Sequence, residues 1–95
     1  MTKEDILDFL KTHKQELQSK YNVEKIGLFG SYARDEATPT SDIDIFVKMP
    51  PKLFDMVAIK EQIEEKLQAR VDIVREHKNM KPLFVEMIHK DLIYA

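Results

Sequence analysis

Hydrophobic positions along the chain recur with two different periods, and the switches between them mark the elements. From Thr2 to Tyr21, Ile6, Leu10 and Leu17 fall on one stripe at helical spacing, with Leu7 adding width and polar residues on the other face. Thr2 is a fitting N-cap, with acidic Glu4 and Asp5 in the first turn. Val23 to Phe29 then reads as a short strand ending at Gly30, followed by a brief helical turn over Ser31 to Glu36. The stretch from Ala37 to Ser41 is a loop by its proline and hydroxyl content.

Ile43, Ile45 and Val47 alternate with Asp42, Asp44 and Phe46, the pattern of a strand with two unlike faces, and Pro50-Pro51 stops it. Leu53 to Ala69 reads as a second long helix, its stripe including Val57, Ile59, Ile63 and Leu67. Val71 to Val74 is a third strand, Lys78 to Pro82 a connection, and Leu83 to Lys90 a last helix. Leu83, Phe84, Met87 and Ile88 on that helix are expected to pack into the core. The order α-β-α-β-α-β-α implies a sheet covered by helices, an α/β or α+β domain.

Composition narrows the classes. The 95 residues make one domain the expectation, and 43% apolar residues can supply its core. Fifteen basic against 17 acidic residues give a net charge of −2, which argues against binding duplex DNA through a strong positive field. The absence of cysteine removes disulfides, thiolate nucleophiles and Cys-ligated zinc. No apolar run is long enough to span a bilayer, and the first residues lack the apolar stretch of a signal peptide, so a cytoplasmic protein is expected.

Three carboxylates stand where strands disfavour them: Asp42 and Asp44 at the start of one strand, Asp72 inside another. Alternation projects Asp42 and Asp44 from the same face, where two anions repel unless a cation lies between them. Mg²⁺ suits such a pair, because it binds one or two carboxylates together with waters and substrate phosphates. Asp72 would complete a three-carboxylate cluster if its strand is a neighbour. The plainer alternatives are a loop exit or cap for Asp42, and solvated strand positions for Asp44 and Asp72.

Upstream, a strand running into Gly30-Ser31 and a helical turn leaves backbone N–H groups and a hydroxyl for a phosphate, though an ordinary turn has the same dipeptide. Arg34 lies within reach of such a phosphate or on the helix surface. His13, His77 and His89 have no metal-ligand spacing and read as solvated surface.

The blocks Gly30-Ser31-Tyr32-Ala33-Arg34 and Ser41-Asp42-Ile43-Asp44-Ile45 resemble the signature of the DNA polymerase β-like nucleotidyltransferases. The short length resembles the minimal nucleotidyltransferase (MNT) branch, and the resemblance runs from about Val23 to the end of the chain. It implies the polymerase β-like fold, an α+β domain with a small mixed sheet of three to four strands, over residues 1–95. It implies that Gly30, Ser31 and Arg34 bind the nucleotide, and that Asp42, Asp44 and Asp72 are catalytic and hold Mg²⁺, two ions by the family pattern. It further implies transfer of AMP from ATP to a hydroxyl, a tyrosine by the family pattern, on a partner HEPN-domain ribonuclease toxin.

One departure is Asp35, where the family often has glycine; it is expected to alter the turn after Arg34 and add negative charge beside the triphosphate. The competing reading is a non-catalytic antitoxin that neutralises the toxin by complex formation. Transfer to a small molecule would call for a further substrate domain.

Overall fold

The computed structural model describes residues 1–95 and contains four helices and four strands. Helix α1 (Lys3–Tyr21) is opened by a capping box: Asp5 N–H donates to Thr2 Oγ1 (3.2 Å), and Thr2 N–H donates to Asp5 Oδ2 (2.9 Å). Asn22, left-handed at φ 56°, closes it. Strand β1 (Lys25–Phe29) passes directly into the short helix α2 (Gly30–Ala33). Strand β2 (Ile43–Lys48), helix α3 (Leu53–Leu67) and strand β3 (Val71–Arg75) follow, and α3 ends at Gln68, left-handed at φ 53°. Pro82 opens α4 (Pro82–Asp91), and a two-residue strand β4 (Ile93–Tyr94) completes the order.

The sheet is mixed, in the order β3-β2-β1-β4. β1 pairs antiparallel with both β2 and β4, while β2 and β3 run parallel, with α3 as the crossover that a parallel pair requires. The two faces of the sheet are unequal. One face carries Ile26 and Leu28 of β1, Ile43, Ile45 and Val47 of β2, and Val71 of β3, packed against Ile6, Leu10 and Leu17 of α1 and Ile59 and Ile63 of α3. The other face carries Phe46, whose ring meets Phe29 edge-on at 6.4 Å and His89 of α4 at 5.8 Å. The alternation read along β2 therefore separates a full core from a thinly covered face.

Several expectations need correction. The strand expected from Val23 begins at Lys25, and the helix expected to reach Ala69 stops at Leu67. Val57 faces solvent while Ile59 and Ile63 are buried, because α3 turns only one narrow side to the sheet. Of the four α4 residues expected in the core, Ile88 alone is buried; Leu83, Phe84 and Met87 lie exposed, because no further element packs over α4. His13 is half-buried and stacked on Phe9 at 4.1 Å, so it is not plain surface. β4 carries no periodic signal, since two residues are too few for one.

At Asp35 the turn keeps the left-handed conformation that glycine favours, at φ 58°. Its carboxylate points to Lys3 of α1 at 3.0 Å, and this hydrogen bond raises the Lys3 ammonium above its ordinary pKa. The expected extra charge is thus directed at α1.

Gly27 is what lets β4 close on β1. A Cβ there would lie 2.8 Å from the Ile93 carbonyl oxygen and 2.8 Å from Leu92 Cδ1. Gly27→Val should therefore displace β4 and lose the bond from Ala95 N–H to Ile26 O (2.9 Å). We expect a destabilisation of about 1–3 kcal/mol by denaturant titration, with selective loss of amide protection at Ala95.

Candidate active site

The parallel register sets Asp44 directly beside Asp72, and the antiparallel register on its other side sets it beside Phe29. Asp44 and Phe46, two positions apart, share the thinly covered face. Gly30, the next residue after Phe29, takes φ +78°, and a Cβ at this position would lie 2.9 Å from Asp44 Cγ. Glycine is required here twice over, by the positive φ and by the carboxylate that fills the space of a side chain.

A cleft of about 370 Å³ opens at this point. Gly30, Ser31, Arg34, Asp44 and Asp72 line it, so five of the six residues expected at the site are brought together. Asp42 is the exception. It precedes β2, stands outside the cleft lining and pairs with Arg70 at 3.4 Å. No three acidic or histidine side chains converge into a ready-made metal cage; Asp44 and Asp72 form a pair, with Asp42 alongside.

Burial raises the Asp44 carboxyl above its ordinary pKa, and the charges of Asp72 and then Asp42 raise it further; Arg34 pulls the other way. None of the five salt bridges in the structure engages Asp44 or Asp72. The oxygen-only donor set and the repulsion within it fit a hard divalent cation, which needs only one or two carboxylates when phosphates and waters supply the rest.

Arg34 lines the cleft, but its guanidinium is engaged. Nη1 donates to Asp91 Oδ2 of α4 at 2.7 Å and Nε donates to Glu36 Oε2 at 3.1 Å. These bonds, to Asp91 first and Glu36 next, hold it above its already high ordinary pKa. Asp91 is a site residue that sequence reading misses, since it stands 57 positions from its partner. Phe29, Val74, Phe84, Met87 and Ile88 form the apolar remainder of the cleft. His77 accepts from Asn79 N–H at 3.2 Å, and none of the three histidines lines this cleft.

Comparison with known proteins places this geometry. The nucleotidyltransferase domain family matches residues 10–95. This chain belongs to that family. A Methanocaldococcus jannaschii relative, the candidate protein adenylyltransferase MJ0126, is 38% identical over 95 residues, covering 98% of this chain and 97% of the relative. The protein adenylyltransferase MntA of Thermococcus cleftensis is 35% identical over 97 residues, covering 100% and 97%. A solved structure of a candidate minimal nucleotidyltransferase superposes with a TM-score of 0.71 at 29% identity, over 92% of this chain and 93% of that one. The same fold occurs in the complex of tri-AMPylated Shewanella oneidensis HEPN toxin with MNT antitoxin, at TM-score 0.68 and 17% identity, over 98% and 71% of the chains. The fold is that of the minimal nucleotidyltransferases, and nucleotidyl transfer is the chemistry of the family.

The raised Asp44 pKa has a consequence for stability. An acid whose folded pKa exceeds its unfolded one stabilises the native state when protonated and weakens it when ionised. The weakening is absent below the ordinary carboxylate pKa of 3.8, grows as pH rises through the folded pKa and is complete above it. Asp44→Asn should therefore raise Tm at pH 7 by about 2–4 °C. The gain should fade as pH is lowered toward 4, which scanning calorimetry across pH would check.

Proposed function

We propose that this chain is an antitoxin that transfers AMP from ATP to a hydroxyl, a tyrosine side chain, of an HEPN-domain toxin. The observation that carries the reading is the Asp44–Asp72 pair on adjacent parallel strands, closed against Gly30 in one cleft with Ser31. Relatives that match nearly the full chain are protein adenylyltransferases by name, which supports a protein acceptor.

The roles follow from position. Ser31 Oγ and the first backbone N–H groups of α2, which no side chain caps, hold the leaving phosphates. The acceptor oxygen forms its bond to the α-phosphorus as the bond to pyrophosphate breaks, and the acceptor's proton passes to an Asp72 carboxylate oxygen. Asp44 and Asp72, with Asp42 at the rim, would hold Mg²⁺. When bound, that cation supplies charge neutralisation of the triphosphate and of the pyrophosphate that departs. Arg34, tied to Asp91, keeps α2 and α4 in register across the cleft and offsets part of the carboxylate charge.

Co-expression with the HEPN-domain protein should add the mass of one or more AMP groups to the partner, read by intact mass, and Asp44→Asn should remove that gain. Neutralisation of the partner with no mass gain would instead establish the purely binding antitoxin. A second measurement isolates Asp72. Asp72→Ala should retain a thermal shift with Mg-ATP, yet transfer AMP at least about a hundredfold more slowly in single turnover. A rate within a few-fold of the parent would return Asp72 to the solvated surface.

A further inference from the structure

Three carboxylates line the cleft, Asp44, Asp72 and Asp91, and one cation, Arg34. A hard divalent cation accounts for Asp44 and Asp72. It does not account for Asp91, whose carboxylate is already taken by the Arg34 guanidinium. An anion in the lining lowers the affinity of a cleft for a polyanion. Asp91 is also the last residue of α4, where a negative charge opposes the helix macrodipole. It is unfavourable on both counts, unless what it does to Arg34 outweighs them.

Arg34 lies one helical turn after Gly30, its backbone N–H donating to Gly30 O at 3.2 Å. Its long side chain would sample many rotamers if left alone. Here two of the three guanidinium nitrogens are fixed: Nη1 donates to Asp91 Oδ2 at 2.7 Å and Nε to Glu36 Oε2 at 3.1 Å. Nη2 donates to no group of the protein. The guanidinium is planar, so fixing two nitrogens fixes the direction of the third. Asp91 is the firmer of the two anchors, with the shorter bond and a side chain 19% exposed against 66% for Glu36.

We propose that Asp91 is a positioning residue for the nucleotide, holding Arg34 so that Nη2 donates to a β- or γ-phosphate oxygen of ATP. The proposal rests on the transfer reading above for its ligand. The pair orders the guanidinium before ATP arrives, so binding does not have to supply that order. Two plainer roles lead to other results. If Asp91 acted only through its charge, removing it would tighten the binding of an anion. If it only tied α4 to α2, removing it would loosen α4 in the ligand-free protein.

The test titrates Mg-ATP by calorimetry into Asp91→Ala, the isosteric Asp91→Asn, Arg34→Ala and the double variant Arg34→Ala/Asp91→Ala. Asp91→Ala should weaken Mg-ATP binding about tenfold, as loss of a pre-oriented, charge-assisted contact does. Asp91→Asn should weaken it in the same direction, and it alone decides if Asp91→Ala does not fold. The double variant should bind no more weakly than Arg34→Ala, since Asp91 acts through Arg34. Amide exchange over α4 in the ligand-free variants should match the parent. Unchanged or tighter binding by the Asp91 variants overturns the proposal. So does a double variant weaker than Arg34→Ala, faster exchange throughout α4, or a parent that does not bind Mg-ATP. If the Asp91 variants lose affinity as expected but the parent transfers no AMP to the HEPN-domain partner, the positioning role stands and the transfer reading falls.

Discussion

The parallel pairing of β2 with β3 is the constraint on which this structure depends. It sets Asp44 beside Asp72, two anions on neighbouring strands that no cationic side chain bridges. A parallel pair cannot be joined by a tight turn, so the crossover helix α3 exists because this register exists. Burial and mutual repulsion work against the pair, as the raised Asp44 pKa records. The opposing stabilisation comes from the far side of the same strands, where Ile43, Ile45 and Val47 are buried under α1 and α3. One strand thus carries the core on one face and the cleft carboxylate on the other.

This division accounts for the uneven coating of the sheet. A small chain has few apolar residues with which to build a core, and here nearly all of the core lies on one side. The other side holds Phe46 and Ile88 as a minor cluster beneath α4, and leaves room for a cleft. The exposed apolar residues of α3 and α4 follow from the same arrangement: each helix turns one narrow stripe to the sheet, and nothing packs on its outer side.

Long-range polar contacts hold the short elements around the cleft. α2 has four residues, too few to be stable alone. It is fastened at Arg34 to Asp91 of α4, and the turn after it is fastened at Asp35 to Lys3 of α1. Gly30 completes the arrangement from within, since only the absence of a side chain lets the backbone approach Asp44. The departure at Asp35 keeps the left-handed turn, because aspartate tolerates that region better than most residues.

Much of this was legible in one dimension because the physics concerned is local. Helical and alternating periods placed α1, β1, β2, α3, β3 and α4, and period-two alternation along β2 separated the Asp44–Phe46 face from Ile43, Ile45 and Val47. The glycine and carboxylate blocks offered a phosphate turn and hard oxygen donors, and their resemblance to the polymerase β-like signature is what pointed to nucleotidyl transfer. Tertiary structure alone decided the rest. Strand order and register are not encoded by period, so only the fold could set Asp72 beside Asp44 and leave Asp42 outside with Arg70. The Arg34–Asp91 bond joins residues 57 positions apart, a distance at which no local pattern operates. Whether an apolar helix face is buried depends on what packs over it, and for Leu83, Phe84 and Met87 the fold supplies nothing.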